Sequence, residues 1–158
     1  MLCVGIDPGI SGGLALLERR NGAIECVDLA DMPTVLIGKK REIDAGTIVE
    51  IMRDWSPEKA ILEAVHAMPK QGVSSTFAFG RGVGVVIGVL STLRIPFVEI
   101  RPQEWQKAVL RGCPGEGKDK CLRWAYGMFP DAELKTARGR LLDGRADALG
   151  LAYFGLVA

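Results

Sequence analysis

Asp7 stands at the end of an apolar run, Leu2-Cys3-Val4-Gly5-Ile6, and is followed at once by Pro8-Gly9-Ile10-Ser11-Gly12-Gly13. A carboxylate at the end of a buried strand loses hydration, so something positive has to compensate it. Glu63 repeats the pattern after Lys59-Ala60-Ile61-Leu62, and Asp143 and Asp147 stand four apart at the start of the last apolar segment. On a helix that spacing puts both on one face, where like charges repel. Two carboxylates about 4 Å apart at an effective dielectric of about 20 repel by roughly 4 kcal/mol. That is a large part of the roughly 5–15 kcal/mol that stabilises a domain. A divalent cation relieves it, and an all-carboxylate set without Cys or His selects hard, oxygen-seeking Mg²⁺ or Mn²⁺ over zinc. Taken singly the residues have plainer readings: Asp7 as a turn cap, Glu63 as a lysine's partner, Asp143 as an N-cap. Together, Asp7, Glu63, Asp143 and Asp147 point to a metal site.

The elements that must position these groups are legible in the pattern. Leu2–Ile6, Gly13–Glu18 and Ala23–Leu29 read as strands, with Asn21-Gly22 as the hairpin turn between the last two, giving an antiparallel meander. Pro33–Arg41 reads as a loop with a basic cluster. Asp44 caps a helix whose Ile48, Ile51, Met52 and Trp55 recur at helical spacing. Lys59–Glu63 is a short buried strand, followed by a helix starting near Ser74 or Ser75 and a strand over Ile95–Ile100. Strand, helix, strand implies a parallel crossover. Helices over Pro102–Leu110, Lys118–Met128 and Asp143–Val157 complete an α/β chain with a mixed sheet of about five strands. In such a sheet, functional groups gather beyond the ends of neighbouring strands, where Asp7 and Glu63 stand. Gly115–Gly117 and Lys135–Arg140 read as mobile loops.

Composition bounds the partners. At 158 residues and 48% hydrophobic, the chain suits one domain, residues 1–158. Four cysteines without CxxC or finger spacing argue for free thiols in a reducing compartment. The N-terminus lacks a basic leader, and the longest apolar run, Val83–Leu90, is short for a bilayer, so a cytoplasmic protein without a membrane partner is expected. The net charge of +1 is unevenly spread. Residues 1–100 hold 10 basic and 12 acidic groups, whereas residues 101–145 hold 10 basic and 6 acidic, a balance of +4. The C-terminal third is the candidate phosphate-facing surface.

With Gly5-Ile6-Asp7-Pro8-Gly9 opening a meander, Glu63 ending a strand and Ala146-Asp147-Ala148-Leu149 on the last helix, the chain resembles the RuvC-type Holliday-junction resolvases of the ribonuclease H-like superfamily, including their phage and plant-organelle relatives. The resemblance runs from Leu2 almost to the end. It implies a ribonuclease H-like fold and a homodimeric endonuclease that nicks opposed strands of four-way DNA junctions, leaving 5′-phosphate and 3′-hydroxyl ends. It implies two Mg²⁺ ions, replaceable by Mn²⁺, and carries the catalytic acids over as Asp7, Glu63 and Asp147. The fourth acid of bacterial members usually lies three residues before the last. Here that position is Gly144 and the acid is Asp143, which still shares the helix face. The resemblance also suggests DNA contacts from His66 and Lys70 after the second acid, from Arg81 on the following helix, from Lys107 near the scissile phosphate, and from Lys118, Lys120 and Arg123. His66, the single histidine, also suits base stacking or proton transfer.

Gly80, Gly84 and Gly88 form a smooth stripe on the helix after Glu63, at about 1 kcal/mol per glycine against alanine. It suits packing on the chain's own sheet or a homodimer seam. Three other functions fit parts of the pattern. The Asp-x-Gly start suits actin-like ATPases and sugar kinases, which need a second domain. A non-catalytic junction-binding module needs no converging carboxylates. A nuclease with a broader appetite for flaps and forks shares every feature above.

Overall fold

The computed structural model describes residues 1–65 and 72–158, apart from the side chain of Lys118. Strands β1 (Leu2–Asp7), β2 (Gly13–Arg20) and β3 (Ala23–Asp31) form the expected meander. Asn21 and Gly22 both take positive φ, 53° and 86°, as a two-residue hairpin turn of this hand requires.

Pro33–Arg41 is not a loop. β4 (Thr34–Ile37) and β5 (Lys40–Ile43) form a separate antiparallel hairpin. Val35, Leu36 and Ile37 are strand formers, and Gly38 opens the two-residue turn at φ 62°. The run Lys39-Lys40-Arg41 hides this alternation in the sequence.

Helix α1 (Ala45–Trp55) begins where Asp44 Oδ1 accepts hydrogen bonds from the amides of Gly46 at 3.0 Å and Thr47 at 3.3 Å. β6 (Lys59–Glu63), α2 (Val73–Thr92) and β7 (Phe97–Ile100) make the parallel crossover, and α3 (Pro102–Val109), α4 (Gly117–Met128) and α5 (Asp143–Val157) follow. β7 starts two residues later than expected, because Arg94 at φ 56° and Pro96, which has no N–H, still belong to the turn after α2. The five-stranded mixed sheet runs β3-β2-β1-β6-β7.

Alternation along the strands sorts the core into two layers. Val4, Ile6, Leu14, Leu16, Ala60 and Leu62 face Ile48, Met52, Val86 and Leu90 of α1 and α2. Cys3, Ala15, Leu17 and Ile61 face Trp105, Leu149 and Leu151 of α3 and α5. Asp7 follows Cys3 by four and Glu63 follows Ile61 by two, so both carboxylates fall on the α5 face. α2 is longer and more apolar than the run Val83–Leu90 suggested. By length and composition it could cross a membrane, with mean hydropathy 1.6, yet it buries Val83, Val86, Val89 and Leu90 in this chain's core.

Lys135–Arg140 is a closed turn. Thr136 N donates to the Arg140 carbonyl at 2.9 Å, Gly139 N to the Thr136 carbonyl at 2.8 Å, and Leu142 N to the Leu134 carbonyl at 2.9 Å.

Candidate active site

β1 and β6 run parallel with Ile6 opposite Leu62, so the next residues, Asp7 and Glu63, end adjacent strands side by side. α5 lies directly across them. A Cβ on Gly5 would stand 2.0 Å from the Ala148 carbonyl oxygen and 2.4 Å from the Ala152 amide, so only glycine lets the helix down onto β1. That contact brings Asp147, one residue before Ala148, over the ends of β1 and β6.

Glu63 reads the arrangement electrostatically. Its carboxyl is pushed from its ordinary 4.5 up to about 7, chiefly by burial, against the lowering effect of a hydrogen bond from Trp105, with further upward contributions from the charges of Asp7 and Asp147. The Trp105 Nε1–H donates to Glu63 Oε1 at 3.0 Å. Asp7 Oδ1 accepts from the Gly9 amide at 3.3 Å, holding the turn after β1. Cys121, buried beside Asp147, has its thiol raised first by burial and then by that carboxylate, which keeps the sulfur protonated.

Glu63 and Asp147 share a cleft of about 520 Å³ with Gln103, Gln106, Lys107 and Lys120. Two of the expected basic residues, Lys107 from α3 and Lys120 from α4, thus line the same cleft as the carboxylates. Arg123 lies on the exposed side of α4, outside that lining, and Lys118 belongs to the same helix. Arg81 is ion-paired with Glu42, tying α2 to the β4–β5 hairpin. His66 and Lys70 lie outside the described residues.

Asp143 opens α5, one helical turn before Asp147 and on the same face. It lines a recess of about 100 Å³ with Ser11, Gly12, Arg41 and Arg140. The structure also accounts for the displaced acid. A Cβ at Gly144 would stand 2.5 Å from the Ser11 carbonyl oxygen, so no side chain fits there, and the nearest position able to carry a carboxylate is Asp143. Among the described residues no group of three acidic, His or Cys side chains forms a ready-made metal cage. Asp7, Glu63 and Asp147 are instead close enough for two of them to hinder ionisation of the third.

Trp105 is the site residue that reading by motif passes over. Its signal was available: a buried indole needs an acceptor for its N–H, and a Trp at the start of a helix following a strand has few within reach.

The sheet order, the crossover and the helix laid over the strand ends define a ribonuclease H-like protein. No family model matches the chain. Among curated proteins it is similar to the crossover junction endodeoxyribonuclease RuvC of Prochlorococcus marinus (strain MIT 9313), 28% identical with 98% of this chain and 97% of that one covered. RuvC of Nitratidesulfovibrio vulgaris (strain Hildenborough) is 26% identical, covering 84% and 82%. Among solved structures, Thermus thermophilus RuvC in complex with Holliday junction substrate superposes with a TM-score of 0.73 at 18% identity, over 98% of this chain and 92% of that one. The yeast mitochondrial Holliday junction resolvase Ydc2 gives 0.62 at 11% identity, covering 96% and 76%. These two likenesses establish the fold. Together with the sequence similarity over nearly the whole chain, they support a RuvC-type resolvase.

Proposed function

We propose that the chain is a structure-selective endodeoxyribonuclease that resolves four-way DNA junctions by metal-dependent phosphodiester hydrolysis, leaving 5′-phosphate and 3′-hydroxyl ends. The observation that carries this reading is the convergence of Asp7, Glu63 and Asp147 from β1, β6 and α5 at the ends of two adjacent central strands, with Glu63 held only partly ionised near neutral pH by burial and its acidic neighbours. Such a set concentrates negative charge that a divalent cation relieves. Its donors are carboxylate oxygens, which fit Mg²⁺, with Mn²⁺ able to substitute. Asp7, Glu63 and Asp147 would hold the ions, with Asp143 the proposed fourth ligand. Two such ions, when bound, supply polarisation of the attacking water and neutralisation of charge on the leaving 3′ oxygen.

The chain's own residues do the rest. Trp105 fixes the rotamer of Glu63 and excludes water behind it. Lys107 and Lys120 bring positive charge to a phosphate lying across the carboxylates, while Gln103 and Gln106 offer neutral donors along the same wall. The names of the relatives, and the junction in the Thermus complex, support a branched-DNA substrate. Two symmetric nicks need two copies of the site, which a C₂ homodimer provides. As in the bacterial relatives, a cytoplasmic setting suits the reading.

Asp7→Asn should leave junction binding intact and reduce Mg²⁺-dependent cleavage by 10³-fold or more, on the order of a lost electrostatic catalytic group. Cleavage of labelled four-way junction, flap, Y-fork and linear duplex is to be measured in parallel. Paired symmetric nicks confined to the junction are expected; undiminished cutting by the variant would overturn the assignment.

A further inference from the structure

The recess that holds Asp143 contains chemistry that the carboxylate site does not use. Arg41 reaches it from β5, and Arg140 from the turn before α5; the Ile10–Gly12 turn supplies its floor. A third arginine, Arg145, is already committed: its Nε donates to Asp31 Oδ1 at 2.7 Å and its Nη1 to the Glu133 carbonyl at 3.1 Å. Arg41 and Arg140 have no ion-pair partner among the described residues, although both are carried on hydrogen-bonded backbone. Arg41 lies opposite Leu36 in the β4–β5 ladder, and Arg140 N donates to Thr136 Oγ1 at 3.1 Å. Two arginines lining one small recess, neither in an ion pair among the described residues, suit an oxyanion, since Arg presents a fork matched to phosphate.

We propose that Arg41 and Arg140 form a second phosphate subsite, beside Asp143, that holds a backbone phosphate of the DNA strand flanking the one being cut. The inference rests on the nuclease reading above. At about 100 Å³ the recess suits a single anionic group, far below the roughly 300 Å³ or more of a small-molecule pocket. Charge explains why two arginines are needed. With Arg145 paired to Asp31 and 3.9 Å from a Glu133 carboxylate oxygen, Arg41 and Arg140 are left beside Asp143, two positive charges against one negative among the remaining lining residues. Its position supplies the role. Lys107 and Lys120 stand beside Glu63 and Asp147, and the arginine pair stands one helical turn further along α5, beside Asp143. A strand laid across Asp7, Glu63 and Asp147 would then be gripped on both sides of the cut.

The test uses the whole chain carrying Asp7→Asn, so that binding is measured without cutting, with and without the pair Arg41→Ala and Arg140→Ala. Both side chains are exposed, and circular dichroism melting is the check that the fold is kept. Losing the pair should weaken junction binding about tenfold or more and make the slope of log affinity against log salt shallower by about one. A junction with a single neutral methylphosphonate in place of one phosphate next to the cut should bind the parent more weakly and the double variant no differently. An unchanged salt slope, or a parent indifferent to the methylphosphonate at every flanking position, overturns the subsite while leaving the nuclease reading intact. A wild-type chain that neither binds nor nicks junctions overturns both.

Discussion

The indole of Trp105, fully buried, donates its N–H to Glu63 Oε1 at 3.0 Å, while the opposite edge of the ring packs on α5 where a Cβ at Gly150 would come within 2.4 Å of Cζ3. One side chain therefore couples the helix that carries Asp147 to the carboxylate that ends β6. Any disturbance of α3 is transmitted to both acids.

Trp105→Phe keeps most of the apolar volume and removes the donor. The loss of a hydrogen bond to a carboxylate costs about 1.5–3 kcal/mol, which should appear as a lower Tm. Because that bond lowers the Glu63 pKa, its removal should also raise it, so the acidic limb of the pH–rate profile should move to higher pH. A variant that loses stability without moving the profile would make Trp105 merely a core residue.

Metal-free protein should lose stability as pH rises from about 4.5 to about 7. Across that window the folded chain keeps a proton on Glu63 that the unfolded chain has released, so the folded state binds more protons and the stability slope is negative. Glu63→Gln should flatten this part of the profile. Mg²⁺ should raise Tm most at the high-pH end, where the carboxylate is ionised, through preferential binding to the folded state. Thermal melts from pH 4 to 8, with and without metal, check both, and a profile unchanged by Glu63→Gln would sink the account.

Helix α5 tolerates no side chain where it touches β1 and the Ser11–Gly12 turn. Gly5→Ala, with backbone atoms 2.0 and 2.4 Å from the new Cβ, should destabilise by about 3 kcal/mol or more. Gly144→Ala should cost somewhat less, about 1–3 kcal/mol, yet should depress cleavage more than its stability loss explains, because Asp143 and Asp147 both ride on the displaced helix. Chemical denaturation compared with single-turnover cleavage separates the two effects.

Gly80, Gly84 and Gly88 have nothing within 4 Å of an added Cβ among the described residues, so the stripe does not pack on the sheet. With Val73 and Phe77 at 87% and 73% exposure on the same helix, it supports the proposed homodimer seam. Gly84→Leu should then shift the protein from dimer to monomer in sedimentation equilibrium, with the Tm of the monomer little changed. A folded, fully dimeric Gly84→Leu would place the seam elsewhere.

The meander, the capped helix α1, the crossover and the extent of α5 all follow from short-range rules: alternation, a two-residue Asn-Gly turn, an aspartate cap and an uninterrupted apolar run. So do the acids Asp7, Glu63 and Asp147, because a carboxylate ending a buried strand or opening an apolar helix is conspicuous in the chain itself. The β4–β5 hairpin escaped that reading, since Lys39, Lys40 and Arg41 broke the apolar alternation from which a strand is recognised.

What the sequence by itself determined is which residues could do chemistry and on which elements they ride. Only the tertiary structure decided which of them meet, because meeting depends on how closely α5 settles on β1 and on which way each strand faces, and both are set by contacts between residues distant in the chain. Gly5 lying under Ala148 brings Asp147 to Glu63, and Gly144 pressed against Ser11 leaves no room for a side chain at that position. Trp105 finds Glu63 across 42 positions, and Arg41 and Arg140, unremarkable in the chain, come to share one recess.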